Sequence, residues 1–141
     1  MNYLIYFLYL IKHKWFVFIE CWKLGIPWLG VVHDWSKFRP SEMIPHVRWY
    51  LAGQNGYESF IIAQIIHSNR NKHHPTYWTM GHIVAEMPIK YRKEMLADWI
   101  GAARAKDNNL SEWWKQSQGK ITLGTETRKW MEDKIGHFHK G

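Results

Sequence analysis

Apolar residues recur at steps of three and four along most of the chain, and no stretch alternates polar with apolar as a half-buried strand does. The pattern predicts an all-α fold with about five longer helices and one or two short ones. A heavily apolar first helix over about 2–24 is stopped by Gly25 and the Ile26-Pro27 pair. A second covers about 28–38 and ends at Arg39-Pro40. The third starts at Ser41-Glu42 with Pro45 in its first turns and turns Met43, Ile44, Val47, Tyr50 and Leu51 to one side. Gly53 and Asn55-Gly56 end it. A fourth, over about 57–69, carries Phe60, Ile61, Ala63, Gln64, Ile65 and Ile66. A fifth runs from Pro88 to about 106, with proline suited to the first turn. Ser111 is placed to cap a short helix to Gln118 that buries Trp113 and Trp114. Thr125 is placed to cap a last one over about 126–135, with Trp130 and Met131 inward.

Polar residues that fall on the apolar faces carry the candidate chemistry. Stepping by three or four from His13 gives Tyr9, Leu10, Phe16, Val17 and Glu20, so its imidazole faces the core. A buried histidine bonded to a neighbour fits that position as well as a ligand does. Asp98 has Tyr91, Glu94, Met95, Gly101 and Ala102 on its face. A buried carboxylate costs several kcal/mol unless a cation or hydrogen bonds compensate, which leaves a metal or a buried Lys or Arg. His33-Asp34-Trp35-Ser36-Lys37 puts an imidazole, a carboxylate and an ammonium within about one helical turn. His67 lies near the end of the fourth helix, and the polar stretch Asn69 to Lys72 leads to His73-His74-Pro75, where proline bars helix. A loop with two imidazoles beyond a helical one can close a metal site from a third side. His46 is read as structural or exposed, and His137 and His139 as a solvated tail.

Length and the 46% hydrophobic content fit one domain, with a motif-bearing part over about 9–105 and a C-terminal helical extension over 106–141. The ten Trp, seven Tyr and six Phe belong in a core, an interface or a stacking pocket, which leaves a homo-oligomer open. A net charge of +7 favours anionic partners; nucleic acid is possible, but no motif points to it. A single Cys21 excludes an internal disulfide and suits a cytoplasmic setting. The apolar N-terminal run breaks at Lys12-His13-Lys14, well short of the roughly twenty residues of a membrane span, and lacks the features of a secretory signal. A peripheral membrane contact through Tyr3, Phe7 and Leu10 stays open.

The order His13, His33-Asp34, His67, His73-His74, Asp98 resembles the HD-domain superfamily of metal-dependent phosphohydrolases, over roughly 9–105. Many members read His-Asp-x-Gly-Lys, and here Ser36 stands at the glycine and Lys37 at the lysine. HDWSKFRPSE, HSNRNKHHPTYW and EMLADW also look like a family of small bacterial and phage proteins known only as a domain of unknown function. The resemblance implies hydrolysis of a phosphate ester, such as a nucleotide or related small phosphorylated molecule, by metal-activated water. His13, His33, Asp34 and Asp98 alone are similar to the mononuclear enzymes; adding His67 and His73 or His74 makes the site similar to the binuclear ones. In those, His67 and the later pair are usually more than twenty residues apart, whereas here they are six or seven. Asp34 and Lys37 are the implied catalytic residues, with Lys37, Arg39 and Arg70 meeting substrate and Lys72 adding to an anion-attracting rim. Trp35 and Trp78 are candidates to stack on a base. Nitrogen and carboxylate donors suit Mn, Fe, Co, Ni or Zn, with Mg less suited. Two other functions fit the same ligand order: a mixed-valent di-iron oxygenase, and a non-catalytic nucleotide- or partner-binding module.

Overall fold

The computed structural model describes residues 2–52 and 57–137. It is all-α, 78% helical, and among the described residues the only sheet is a two-stranded ladder. The frame is a pair of helices, α1 (Asn2–Lys23) and α5 (Ile89–Ala105). Gly101 lets them meet, since a Cβ there would lie 2.5 Å from Val17 Cγ2 and 3.0 Å from the Val17 nitrogen. Val17, Cys21 and Ala97 are buried around that contact, and burial pushes the Cys21 thiol up to about 12. Helix α1 stops where its sequence predicts: Gly25 takes φ +74°, and Ile26 N donates to Cys21 O and Gly25 N to Trp22 O.

The second expected helix does not run unbroken to Phe38. α2 (Pro27–Val32) ends early, His33 is extended, Asp34 takes φ +50°, and Trp35–Phe38 form a single 3-10 turn. Adjacent side chains on a continuous helix diverge by about 100°; the break turns His33 and Asp34 inward together. Aspartate tolerates this left-handed conformation better than most residues.

Helix α3 (Pro40–Ala52) encloses Pro45, with Val47 buried and Met43 half-buried beside it. Ile44, expected inward, is exposed. The side chains of Tyr50 and Leu51, and the expected turn at Gly53, Asn55 and Gly56, lie outside the described residues. α4 (Tyr57–Arg70) buries Ala63 and His67 but leaves Ile65 exposed, so its inward stripe is narrower than the apolar pattern suggests. A loop over 71–74 and a 3-10 turn, Pro75–Trp78, lead to β1 (Thr79–Met80) and β2 (Ile83–Val84), joined through Gly81 at φ +58°. Two-residue strands are too short to leave an alternating signature.

The C-terminal helices belong to the main core. Trp114 of α6 (Leu110–Ser117) and Met131 and Ile135 of α7 (Thr125–His137) pack with Met87, Met95, Leu96 and Ile100. Trp113 and Trp130 are less covered than expected. Ser111 does not cap α6; Asn109 Oδ1 accepts from Ser111 N and Glu112 N at 3.0 and 3.1 Å. The start of α7 is held by Glu86, which accepts from the backbone of Glu126 and Thr127 and from the Thr127 hydroxyl. His137 ends α7 exposed, and His139 lies outside the described residues.

Helix α1 buries polar groups among its apolar ones and is apolar on its exposed side as well. His13 and Glu20 point inward while Leu4, Leu8, Ile11 and Trp15 point out. Leu10, a candidate for membrane contact, is instead buried with Tyr6 and Val47. No helix among the described residues is long and apolar enough to cross a membrane.

Candidate metal centre

All seven expected ligands meet at one place. His13 comes from α1, His33 and Asp34 from the break after α2, His67 from the end of α4, His73 and His74 from the loop behind it, and Asp98 from α5. Three groups form, each with donor atoms within 4.8 Å of one another: Asp34, His67, His73 and His74; His13, His33, Asp34 and Asp98; and His33, His73 and Glu94. Asp34 belongs to the first two. Its Oδ1 lies 3.2 Å from His67 Nε2 and 3.3 Å from His73 Nε2, while Oδ2 lies 3.4 Å from His33 Nε2. Asp98 Oδ1 is 3.1 Å from His13 Nε2 and 3.2 Å from His33 Nε2. The short spacing between His67 and His73-His74 is no obstacle, because the loop folds straight back; the His67 and His74 rings are 4.8 Å apart.

A shell of carboxylates holds the imidazoles from outside. Glu94 Oε1 is 3.1 Å from His33 Nδ1 and 3.2 Å from His73 Nδ1, and Glu42 Oε2 is 2.9 Å from His67 Nδ1. An ionised carboxylate only accepts, so each of these Nδ1 atoms carries a proton and Nε2 is the nitrogen turned toward Asp34 or Asp98. This tautomer is the one a metal-binding imidazole needs. Glu42 is fully buried and also accepts from Ser36 Oγ at 2.9 Å, with Arg70 Nη1 3.4 Å from its other oxygen.

Lys37 supplies the centre with one cation, yet several of its converging donors have no hydrogen between them. Among the described residues, the buried side-chain N and O atoms without a hydrogen-bond partner are His13 Nδ1 and Nε2, Asp34 Oδ1, and Nε2 of His67, His73 and His74, while Asp34 Oδ2 meets the Lys37 ammonium. Buried polar atoms are rarely left so, and this set consists wholly of expected ligands. One or two cations of borderline softness would satisfy them, which fits nitrogen and carboxylate donors.

The electrostatics agree. Burial raises the Asp34 carboxyl, but His33 and Lys37 outweigh it and hold it well below the usual range. Burial acts the same way on Asp98, and His13 and His33 overcome it. Burial lowers the His33 imidazole, yet Asp34, Asp98 and Glu94 leave it well above its ordinary value. Burial and the neighbouring His73 push His74 down to about 3, so His74 stays neutral.

The remaining candidates divide. Lys37 Nζ sits 2.5 Å from Asp34 Oδ2, inside the centre. Arg70 is half exposed and bound to Glu42, and Arg39 is exposed beyond the 3-10 turn. Trp35 is exposed on the outer face beside Lys14, and Trp78 packs against the main core. His46 is structural, bonded to Glu42 O at 2.6 Å and to Gln64. Sequence reasoning missed Glu42 and Glu94 as partners of the ligands. Glu94 had a usable signal, since it shares the face of Asp98 one turn earlier.

These features define a helical domain built around a His/carboxylate cluster. The chain belongs to the family of unknown function DUF5662, whose model matches residues 3–137. No curated protein and no solved structure matches it.

Proposed function

We propose that the chain is a cytoplasmic, metal-dependent phosphohydrolase acting on a small phosphate ester such as a nucleotide. The observation that carries this reading is the set of buried, unpartnered donors on His13, Asp34, His67, His73 and His74, gathered around an aspartate common to two groups. The order of these residues resembles the HD-domain enzymes, and the two faces of Asp34 favour two ions over one. His67, His73, His74 and Asp34 Oδ1 would hold one, and His13, His33, Asp98 and Asp34 Oδ2 the other. When bound, such ions supply Lewis acidity toward a phosphoryl oxygen and toward water.

The chain's own groups do the rest. Glu42 and Glu94 keep the imidazoles in one tautomer. Lys37 has three donors and no lone pair while protonated, and Asp34 raises its pKa against the opposing effect of burial, so it stays charged at neutral pH. It therefore faces the substrate phosphate instead of a metal. Lys106, whose ammonium stands 5.8 Å over the Tyr9 ring that stacks on His13, adds positive charge nearby.

The test is metal analysis of freshly purified protein, then a phosphate-release screen over nucleotides, cyclic nucleotides and simple phosphoesters with Mn, Co, Ni, Mg and Fe. Bound metal and turnover, both lost in Asp34→Ala, are expected. Metal without phosphate release but with iron-dependent oxygen uptake would favour oxygenase chemistry, and protein that binds no metal would sink both enzymatic readings.

A further inference from the structure

The outer surface of α1 and α2 is apolar over their whole length. Leu4, Leu8, Ile11, Trp15 and Trp22 follow one another at steps of three, four and seven, which keeps them on a single stripe of a 22-residue helix. At 1.5 Å per residue the stripe from Leu4 to Trp22 is about 27 Å long. Trp28 and Val31 of α2 and Trp35 just beyond it widen the patch, and all eight side chains are between 43% and 72% exposed. No Asp, Glu, Lys or Arg interrupts the stripe.

We propose that this face is the interface of a homodimer, covered by a second copy of the same chain. The proposal does not depend on the metal reading. Its first support is area. Half to three-quarters of eight large side chains amounts to roughly 1,000 Å², where the largest apolar patch on a monomer is about 300–600 Å² and a stable pair needs about 800 Å² from each partner. A two-fold pair also needs a patch that can meet itself, and this stripe does so while covering Lys14, whose ammonium already donates to Val31 O and His33 O.

Shape and charge favour a protein over a bilayer. A crevice of about 330 Å³ between α1 and α2, lined by Ile11, Trp15, Phe18, Gly30, Val31 and Trp35 with Lys14 at its wall, would receive protruding side chains from a partner. The lysines beside the stripe are turned back onto the fold: Lys12 Nζ donates to Ala105 O, and Lys14 Nζ to Val31 O and His33 O. A helix seated in anionic lipid uses such residues to reach the headgroups. Within the 141 residues, no undescribed run exceeds four, and four extended residues span at most about 14 Å, too little to cover the face.

Sedimentation velocity on the full-length chain at micromolar concentration is expected to give twice the chain mass. Leu8→Lys combined with Trp15→Lys should give a monomer of unchanged helical circular dichroism, and Trp22→Ser alone should weaken the dimer at least tenfold. Ile65→Lys, at an exposed residue of α4 away from this face, should leave the dimer intact. A parent protein that is monomeric throughout, or a dimer untouched by both interface variants, would overturn the proposal. So would a monomer that floats with phosphatidylcholine–phosphatidylglycerol vesicles and loses that binding in the double variant, which would give the face to lipid.

Discussion

His33 and His73, forty residues apart, are tied to one oxygen: their Nδ1 atoms lie 3.1 and 3.2 Å from Glu94 Oε1, and their ring centroids are 4.5 Å apart. The two imidazoles serve different ligand groups, one on each side of Asp34. Glu94 thus sets the tautomer of both groups at once. Replacing Glu94 with Gln can keep an oxygen at that place but removes its charge, so the hydrogen bonds that orient both imidazoles weaken. Losing such an outer partner typically costs ten- to a hundredfold in metal affinity. Titration with Mn or Co, followed by calorimetry, should show Glu94→Gln weakened by about that factor with its helical spectrum intact. Parent-like affinity would mean that Glu94 does not orient the ligands.

Lys37 calls for the opposite result. Its ammonium lies against Asp34 Oδ2, the oxygen that faces His33, so removing it takes a competing cation away from the centre. Lys37→Ala should keep metal content at or above that of the parent. Turnover of a phosphoester should fall by about ten- to a hundredfold, equivalent to about 1–3 kcal/mol of transition-state stabilisation. A variant that loses its metal would mark Lys37 as a structural counter-charge and not a substrate contact.

How much of this was legible follows from the range of each signal. Helix positions and the inward direction of His13 and Asp98 were readable because both rest on local periodicity. The ends of α1 and α5 were also local, set by Gly25 and Pro88. The break at His33-Asp34 was not, because it sets Asp34 beside His67 and His73, which lie more than thirty residues on, and no local pattern encodes that. Glu42 looked like an ordinary acid in the first turn of a helix, and only its burial against His67 shows otherwise. The outward stripe of α1 was hidden by its neighbours. A helix apolar on most sides has no visible outside, so nothing marks Leu8 as exposed even though Leu10, on the side of His13, is buried.

The closeness of α1 and α5 yields a prediction about stability and the site together. A methyl group at residue 101 would sit 2.5 Å from Val17 Cγ2, with the Val17 backbone at 3.0 Å behind it. The neighbour is a stiff, fully buried β-branched residue, so the helices must move apart. Gly101→Ala should destabilise the fold by about 1–3 kcal/mol in spite of alanine's better helix propensity. Because His13 rides on α1 and Asp98 on α5, metal affinity should fall as well. Urea denaturation showing a neutral or stabilising effect would contradict the close approach.

The last prediction concerns Glu86, which caps α7 from forty residues away. Its Oε1 accepts from Glu126 N at 3.1 Å, and its Oε2 from Thr127 N at 2.9 Å and from Thr127 Oγ1 at 2.7 Å. The carboxylate also faces the positive end of the helix. Thr125, at the position where sequence places a cap, is exposed. Glu86→Ala should therefore cost about 1 kcal/mol, the usual value of a lost N-cap, and Thr125→Ala markedly less. The hydrogen bonds from Thr127 hold the Glu86 carboxyl below its ordinary value of 4.5. A lowered folded pKa gives stability that is fully present above the unfolded value and lost as pH falls through the folded one. The difference between parent and Glu86→Ala should accordingly be constant from neutral pH down to about 5 and shrink below 4.5. Denaturant midpoints for the two proteins across that range decide it. A gap that stays constant into strong acid would mean the carboxylate's charge plays no part in the cap, and equal losses from Thr125→Ala and Glu86→Ala would return the cap to the threonine.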